Sequence, residues 1–212
     1  MAAAPDAAPR PGASPLSRLL AGLADLLDRS VSPAPSDALF CFAGRPERAP
    51  YAVALWRAGI APVLILSVGR FEWRRFPGLG LDSDGGLRDL VERTPPSRRH
   101  FLVVVDRAGA RAEWMPRGRL GTLAEARAIA RLARGRGWRT LTAVTTAAHS
   151  RRALLSVRRA LSGEPVRVAV AAVPESRSSA PRDAWWRDRA GRSLVLGECI
   201  KLPVYALLAR GG

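Results

Sequence analysis

Residues 139–153 read RTLTAVTTAAHSRRA, an apolar stretch that ends at a pair of threonines and passes into a His, a Ser and two Arg. Thr142, Val144 and the small residues before Ala147 suit a buried strand. Leu154, Leu155 and Val157 give the next segment one apolar face, as a helix packed on a sheet requires. A strand running straight into a helix is the unit of parallel α/β sheets. On this reading His149, Arg151 and Arg152 stand in the first helical turn, beside the carboxyl edge of the strand. Open parallel sheets form their ligand crevices at that edge, and free helix amides there favour anions.

The alternation continues on both sides. DALFCFA (37–43) is a buried strand bounded by a Ser/Pro turn and Gly44, 48–58 has helical character up to Gly59, and PVLILSVG (62–69) is a second strand. That spacing is a right-handed parallel crossover. HFLVVVD (100–106) and RAEWMP (111–116) flank a short Gly-containing turn, so they form a hairpin or two sheet edges. From Leu123 to Arg134 an amphipathic helix carries Leu123, Ala126, Ile129, Ala130 and Ala133 on one face and Arg127, Arg131 and Arg134 on another. VRVAVAA (166–172) is a further strand, and the chain from Asp183 is helical. The expected fold is a three-layer, Rossmann-like α/β domain with a mainly parallel sheet, over residues 16–212. The Ala/Pro-rich residues 1–15 are expected to form a disordered tail, and the Gly-rich, charged segment 70–99 a lid or insertion with one helix near 87–92.

Composition bounds the function. With 212 residues and 48% hydrophobic content the chain can bury one substantial core. Its most apolar run, 193–209, is interrupted by Glu198, Lys201 and Pro203, and no run reaches the ~18 residues of a membrane span, so a cytoplasmic protein is expected. Cys41 and Cys199 are too few for a disulfide framework, and with His100 and His149 as the only histidines no multi-histidine metal site is expected. The formal charge of +16 suits an anionic partner: a small anion, nucleic acid or an anionic membrane. Lys201 is the single lysine, so the charge is nearly all arginine, scattered along the chain, as a coding bias would also produce.

No Gly-Lys-Ser/Thr phosphate loop, no GxGxxG after the first strand and no GxSxG elbow is present. Thr122 and Glu125 in GTLAE read either as a capping box or as a pair facing a ligand. His149 near a helix start is disfavoured as a cation, and reads either as a neutral ring that donates, accepts or polarises a group or as a packing or capping histidine. Arg151 and Arg152 at the same end call for an anion, supplied by a carboxylate of the protein or by a ligand. In GRFEWRRF (69–76), Glu72 belongs either to the crevice or to an exposed, salt-bridged loop. Trp185 and Trp186 stack on bases or anchor a helix on the core.

Four segments together resemble the YdcF/SanA/ElyC-like family, a bacterial group with a Rossmann-like domain: the first strand with its glycine followed by PERAPYAVALWRAGIAP, the second strand ending SVG, the Thr-x-x-Glu-Ala helix start at 122–126, and TTAAHSRRA at 145–153. The last resembles the family's Ser/Thr-x-x-His-x-x-Arg-Ala signature. The resemblance spans roughly residues 37–208. It implies a crevice lined by Gly44, Arg48, Gly69, Thr122, Glu125, His149 and Arg152, and it associates the chain with nucleotide-like ligands such as S-adenosylmethionine and with envelope biogenesis. The expected function is binding of a small anionic or nucleotide-like ligand at the carboxyl edge of the sheet, with transferase or hydrolase chemistry. His149 and Glu125 would be the catalytic groups, and Gly44, Arg48, Gly69, Glu72, Thr122 and Arg152 the ligand contacts. Replacing His149 or Arg152 by Ala is expected to abolish binding without unfolding. The alternative is a non-catalytic basic module that docks on nucleic acid or an anionic membrane. The family's glycine cluster after the first strand is reduced here to Gly44, and residues 70–115 depart from its pattern.

Overall fold

The computed structural model describes residues 14–69, 71–81, 86–115 and 121–210. The expected tail lies almost wholly outside them, and Ser14 and Pro15 belong to a helix start, α1 (Pro15–Leu27), with the Ser14 hydroxyl accepting from the Ser17 amide. The chain then alternates as its pattern requires: β1 (Ala38–Cys41), α2 (Arg48–Arg57), β2 (Val63–Val68), α3 (Gly86–Arg93), β3 (Phe101–Asp106), β4 (Gly109–Trp114), α4 (Gly121–Arg136), β5 (Thr140–Thr145), α5 (Ala147–Ala160), β6 (Arg167–Ala172) and α6 (Arg189–Arg210).

The six strands form one sheet in the order β4-β3-β2-β1-β5-β6. β1, β2, β5 and β6 are mutually parallel, whereas β3 and β4 form the antiparallel hairpin that the turn after Asp106 permits. The chain steps from β1 to β2 in one direction and from β5 to β6 in the other. With right-handed crossovers, α2 and α5 must therefore lie on opposite faces. The two sides of the core separate accordingly. Leu39, Cys41, Leu64 and Leu66 face Ala52 and Val53 of α2, while Phe40, Phe42, Ile65 and Ala143 face Ile129 of α4 and Val157 of α5. The fold is thus the three-layer, Rossmann-like α/β architecture, and its topological switch point lies between the carboxyl ends of β1 and β5.

A third cluster joins α1, α5 and α6 around Leu27, Ala148, Trp185 and Val195. Trp185 anchors this corner, its indole N–H donating to the Leu20 carbonyl at 3.0 Å. The tryptophan pair is therefore a packing feature and precedes α6 rather than lying within it. The segment after β2 is also part of the core: Trp73, Phe76, Leu81 and Leu87 are buried against α2, β2 and β3. The expected lid is a packed layer there. Arg70 and residues 82–85, which include much of its glycine- and aspartate-rich stretch, lie outside the described residues.

Candidate functional site

At the switch point a cleft of about 290 Å³ is lined by Gly44, Arg45 and Arg48 from the β1–α2 segment, Thr122 from α4, His149 and Arg152 from α5, and Ser193, Leu194 and Lys201 from α6. Gly44, Arg48, Thr122, His149 and Arg152, widely spaced in sequence, meet here. Glu125, Gly69 and Glu72 stand behind the cleft and fix its rim.

The rim is held by carboxylates. After Cys41 the chain leaves the sheet, and its amides need acceptors. The Ala43 amide donates to Glu125 Oε1 at 2.9 Å, and the Gly44 and Gly69 amides donate to the two oxygens of Glu72, both at 3.0 Å. Glu72 therefore ties the β1 loop to the β2 loop. This corrects the view of it as a member of an exposed ion-paired loop. A Cβ at Gly69 would come within 2.9 Å of Glu72 Oε2, so a larger residue there would have to displace the carboxylate. Gly44 has φ +119°, which side-chain-bearing residues rarely adopt. In a dinucleotide-binding Rossmann domain the amides of this loop would face a pyrophosphate. Here the Ala43 and Gly44 amides are occupied by the protein's own carboxylates.

Thr122 and Glu125 do not form a capping box. The helix already begins at Gly121, so Thr122 lies inside it, and both side chains reach across to other elements. The Thr122 hydroxyl accepts from Arg152 Nη1 at 2.6 Å and lies 3.4 Å from His149 Nε2. Glu125 accepts from Ala43 and from the Ser67 hydroxyl, yet burial dominates and raises its pKa above the usual carboxylate range.

His149 is 2% exposed and packs edge-on against Phe42. Its Nδ1 is 2.6 Å from the Thr145 hydroxyl. Burial first, then the charges of Arg48, Arg152 and Lys201, hold its pKa well below the normal histidine value. The ring is neutral at physiological pH, one nitrogen donating and the other accepting, each facing a hydroxyl that can take either part. Such a ring polarises or relays; it does not store a proton.

The two arginines differ in a way their positions in the sequence did not reveal. Because α5 starts at Ala147 after Thr146, Arg151 and Arg152 occupy the second turn rather than the first, where the helix dipole opposes a cation less. Arg152 already has its anion. Its Nε and Nη2 donate to Glu198 Oε2 and Oε1 at 2.6 and 2.7 Å, and its guanidinium lies 4.8 Å from the Tyr205 ring centroid. Glu198 and Tyr205, both on α6, were not among the expected site residues. The signal for Glu198 was its interruption of an apolar run, since a buried carboxylate needs a partner. That Arg152 is this partner required the tertiary structure.

Arg48 makes no such direct ion pair, although the carboxylates of Glu125, Glu198 and Glu47 act on it from a distance. It is 5% exposed, its Nη1 donates to the Ala43 carbonyl at 2.6 Å and its Nη2 to the Thr146 hydroxyl at 2.9 Å. Its Nε is buried without a hydrogen-bond partner. Among the described residues no carboxylate comes within ion-pairing distance of it. Lys201 adds to the arginines a further cation on the cleft, its Nζ 4.0 Å from Glu198 Oε1 and its side chain more than half exposed.

Among the described residues there is no group of three or more His, Cys, Asp or Glu side chains placed to hold a metal ion. Cys41 is buried and its thiol pushed up to about 12. No described helix is long and apolar enough to cross a membrane. No family model, no curated protein and no solved structure matches the chain.

Proposed function

We propose that the protein binds a small anionic or nucleotide-like ligand in the cleft between the carboxyl ends of β1 and β5, as its resemblance to YdcF/SanA/ElyC-like domains implies. The observation that carries this reading is Arg48, a buried guanidinium with two neutral acceptors, an unpartnered Nε and no carboxylate in ion-pairing distance. Burying a charge without a counter-charge is costly, and an anionic ligand in the adjoining cleft would supply one. Lys201 would assist, neutral His149 with Thr122 and Thr145 would orient or polarise the ligand, and Glu125 and Glu72 would hold the loop that shapes the rim. Arg152 acts in this scheme through Thr122 and Glu198, as a positioning residue. The resemblance extends the proposal to transferase or hydrolase chemistry in a cytoplasmic protein linked to envelope metabolism, with S-adenosylmethionine among the ligands to try.

The test is calorimetric titration with inorganic phosphate, AMP and S-adenosylmethionine at low and high salt. Saturable binding is expected for at least one of them and should be lost in Arg48→Gln. That variant should remain folded, because it removes a buried charge that lacks a partner. Unchanged affinity in Arg48→Gln would overturn the assignment.

A second reading gives the protein's contacts to its arginine surface. It is favoured by an open groove of about 710 Å³ between α4 and α5, bordered by Arg127, Arg158 and Arg159. Binding to nucleic acid or an anionic membrane through that groove would weaken steeply with salt and would not change in Arg48→Gln.

A further inference from the structure

Beside the anion cleft lies a second chamber of about 160 Å³ on the α2 side of the sheet, walled by Cys41, Leu66, Phe76 and Leu79 with Ala49 and Pro50 of α2. Ala43, Gly44 and Arg45 line both spaces. The loop after β1 is thus a saddle between them, and at its exposed point stands a residue with no side chain, Gly44.

The polar groups bordering this chamber are largely committed to the protein. The Ser67 hydroxyl bonds Glu125, the two oxygens of Glu72 take the Gly44 and Gly69 amides, and the amides of Phe42 and Ala43 donate to Val144 and Glu125. Of the two arginines on the lining, Arg45 reaches away to the Ala190 carbonyl and Arg75 stands exposed at the chamber's edge. A nucleobase buried here would lose its hydrogen bonds to water with little to replace them, which is unfavourable. A hydrocarbon group loses none, and gains from burial.

We infer that the ligand is an amphiphilic anion, with its charged head in the Arg48 cleft and a short hydrocarbon group across Gly44 in the Cys41–Phe76 chamber. This rests on the proposed anion site and narrows its substrate class, favouring an alkyl-bearing phosphate or carboxylate over a nucleotide.

The experiment is calorimetric titration of the full chain with inorganic phosphate and with ethyl, butyl and hexyl phosphate, with AMP for comparison. Affinity should rise about fourfold for each added methylene until the chamber is full, while AMP should bind no better than ethyl phosphate. Ala49→Phe fills the chamber from α2, and Leu79→Trp narrows it from the opposite rim. Each should remove the advantage of hexyl phosphate and leave the affinity for inorganic phosphate unchanged. If phosphate binds in an Arg48-dependent manner but chain length has no effect, or if AMP exceeds hexyl phosphate, the amphiphile inference is overturned and the anion site stands. If none of the phosphates binds the amphiphile inference falls, and if S-adenosylmethionine fails as well the anion site falls with it.

Discussion

Arg48 and Arg152 are two buried arginines on the same cleft with opposite electrostatic histories, and their mutants should separate accordingly. Arg152 and Glu198 are 8% and 4% exposed in their side chains and doubly hydrogen-bonded. Removing Glu198 strands the Arg152 charge in the interior, and removing Arg152 leaves the buried Glu198 only the longer contact to Lys201. Arg152→Ala and Glu198→Ala should each cost about 3–5 kcal/mol in denaturant unfolding, whereas Arg152→Met with Glu198→Leu should return close to the wild-type value. Arg152→Ala is therefore expected to compromise the fold, contrary to the expectation from sequence that it would only abolish binding.

His149 gives a second prediction at the same scale. Its folded pKa is depressed, mainly by burial and then by neighbouring cations. The unfolded chain therefore takes a proton near pH 6.5 that the folded chain refuses, and stability falls as pH drops below that value. The slope from one such group is at most about 1.4 kcal/mol per pH unit. His149→Gln should flatten the stability profile between about pH 5 and 6.5 relative to wild type. Glu125, whose folded pKa is raised, contributes the opposite slope, its stability fully present below the unfolded carboxyl pKa and lost as pH rises through the folded one. The difference between the two proteins isolates the histidine, and identical profiles would show that His149 is not buried as a neutral ring.

Among the elements, α6 decides the site's shape. It supplies Glu198 and Tyr205 to Arg152 and forms one wall of the cleft with Ser193, Leu194 and Lys201. Its approach is set at Gly191, which packs on the backbone of Trp185 so closely that an added Cβ would collide with the Trp185 carbonyl. Gly191→Ala must push the start of α6 away from the corner that Trp185 anchors. A loss of about 1–3 kcal/mol is expected, as for overpacked interiors, together with weaker ligand binding. A thermal melt read alongside the titration of the same variant checks both, and a wild-type melting temperature would show that the helix start adjusts freely.

For the molecule as a whole, a net charge of +16 over 212 residues means self-repulsion in the compact state. Raising NaCl from about 0.05 to 0.5 M should raise Tm through screening, unlike a protein held mainly by surface ion pairs. A falling Tm would mean that exposed pairs such as Arg134–Glu164 and Arg182–Asp25 outweigh the repulsion.

Local pattern was enough to locate β1, β2, β5 and β6 and the helices between them, because burial on both faces writes continuous apolar runs and helix faces write a 3.6-residue period. The same pattern brought His149 to the sheet edge, since parallel crossovers place every such junction at the same end, whereas Arg48 was expected there only through the family resemblance. Charge pairing has no periodicity. Glu198 and Arg152 are 46 residues apart, and it was the packing of α6 on α5 that turned an expected anion clamp into a satisfied ion pair. Likewise Glu72 and Glu125 became holders of backbone amides only when the loops after β1 and β2 were brought side by side. Sequence by itself determined the layers and the sheet edge at which His149 stands, consequences of hydrophobic burial along the chain. Tertiary structure alone decided which of the buried arginines is ion-paired and which is not, because that depends on distances between elements far apart in sequence.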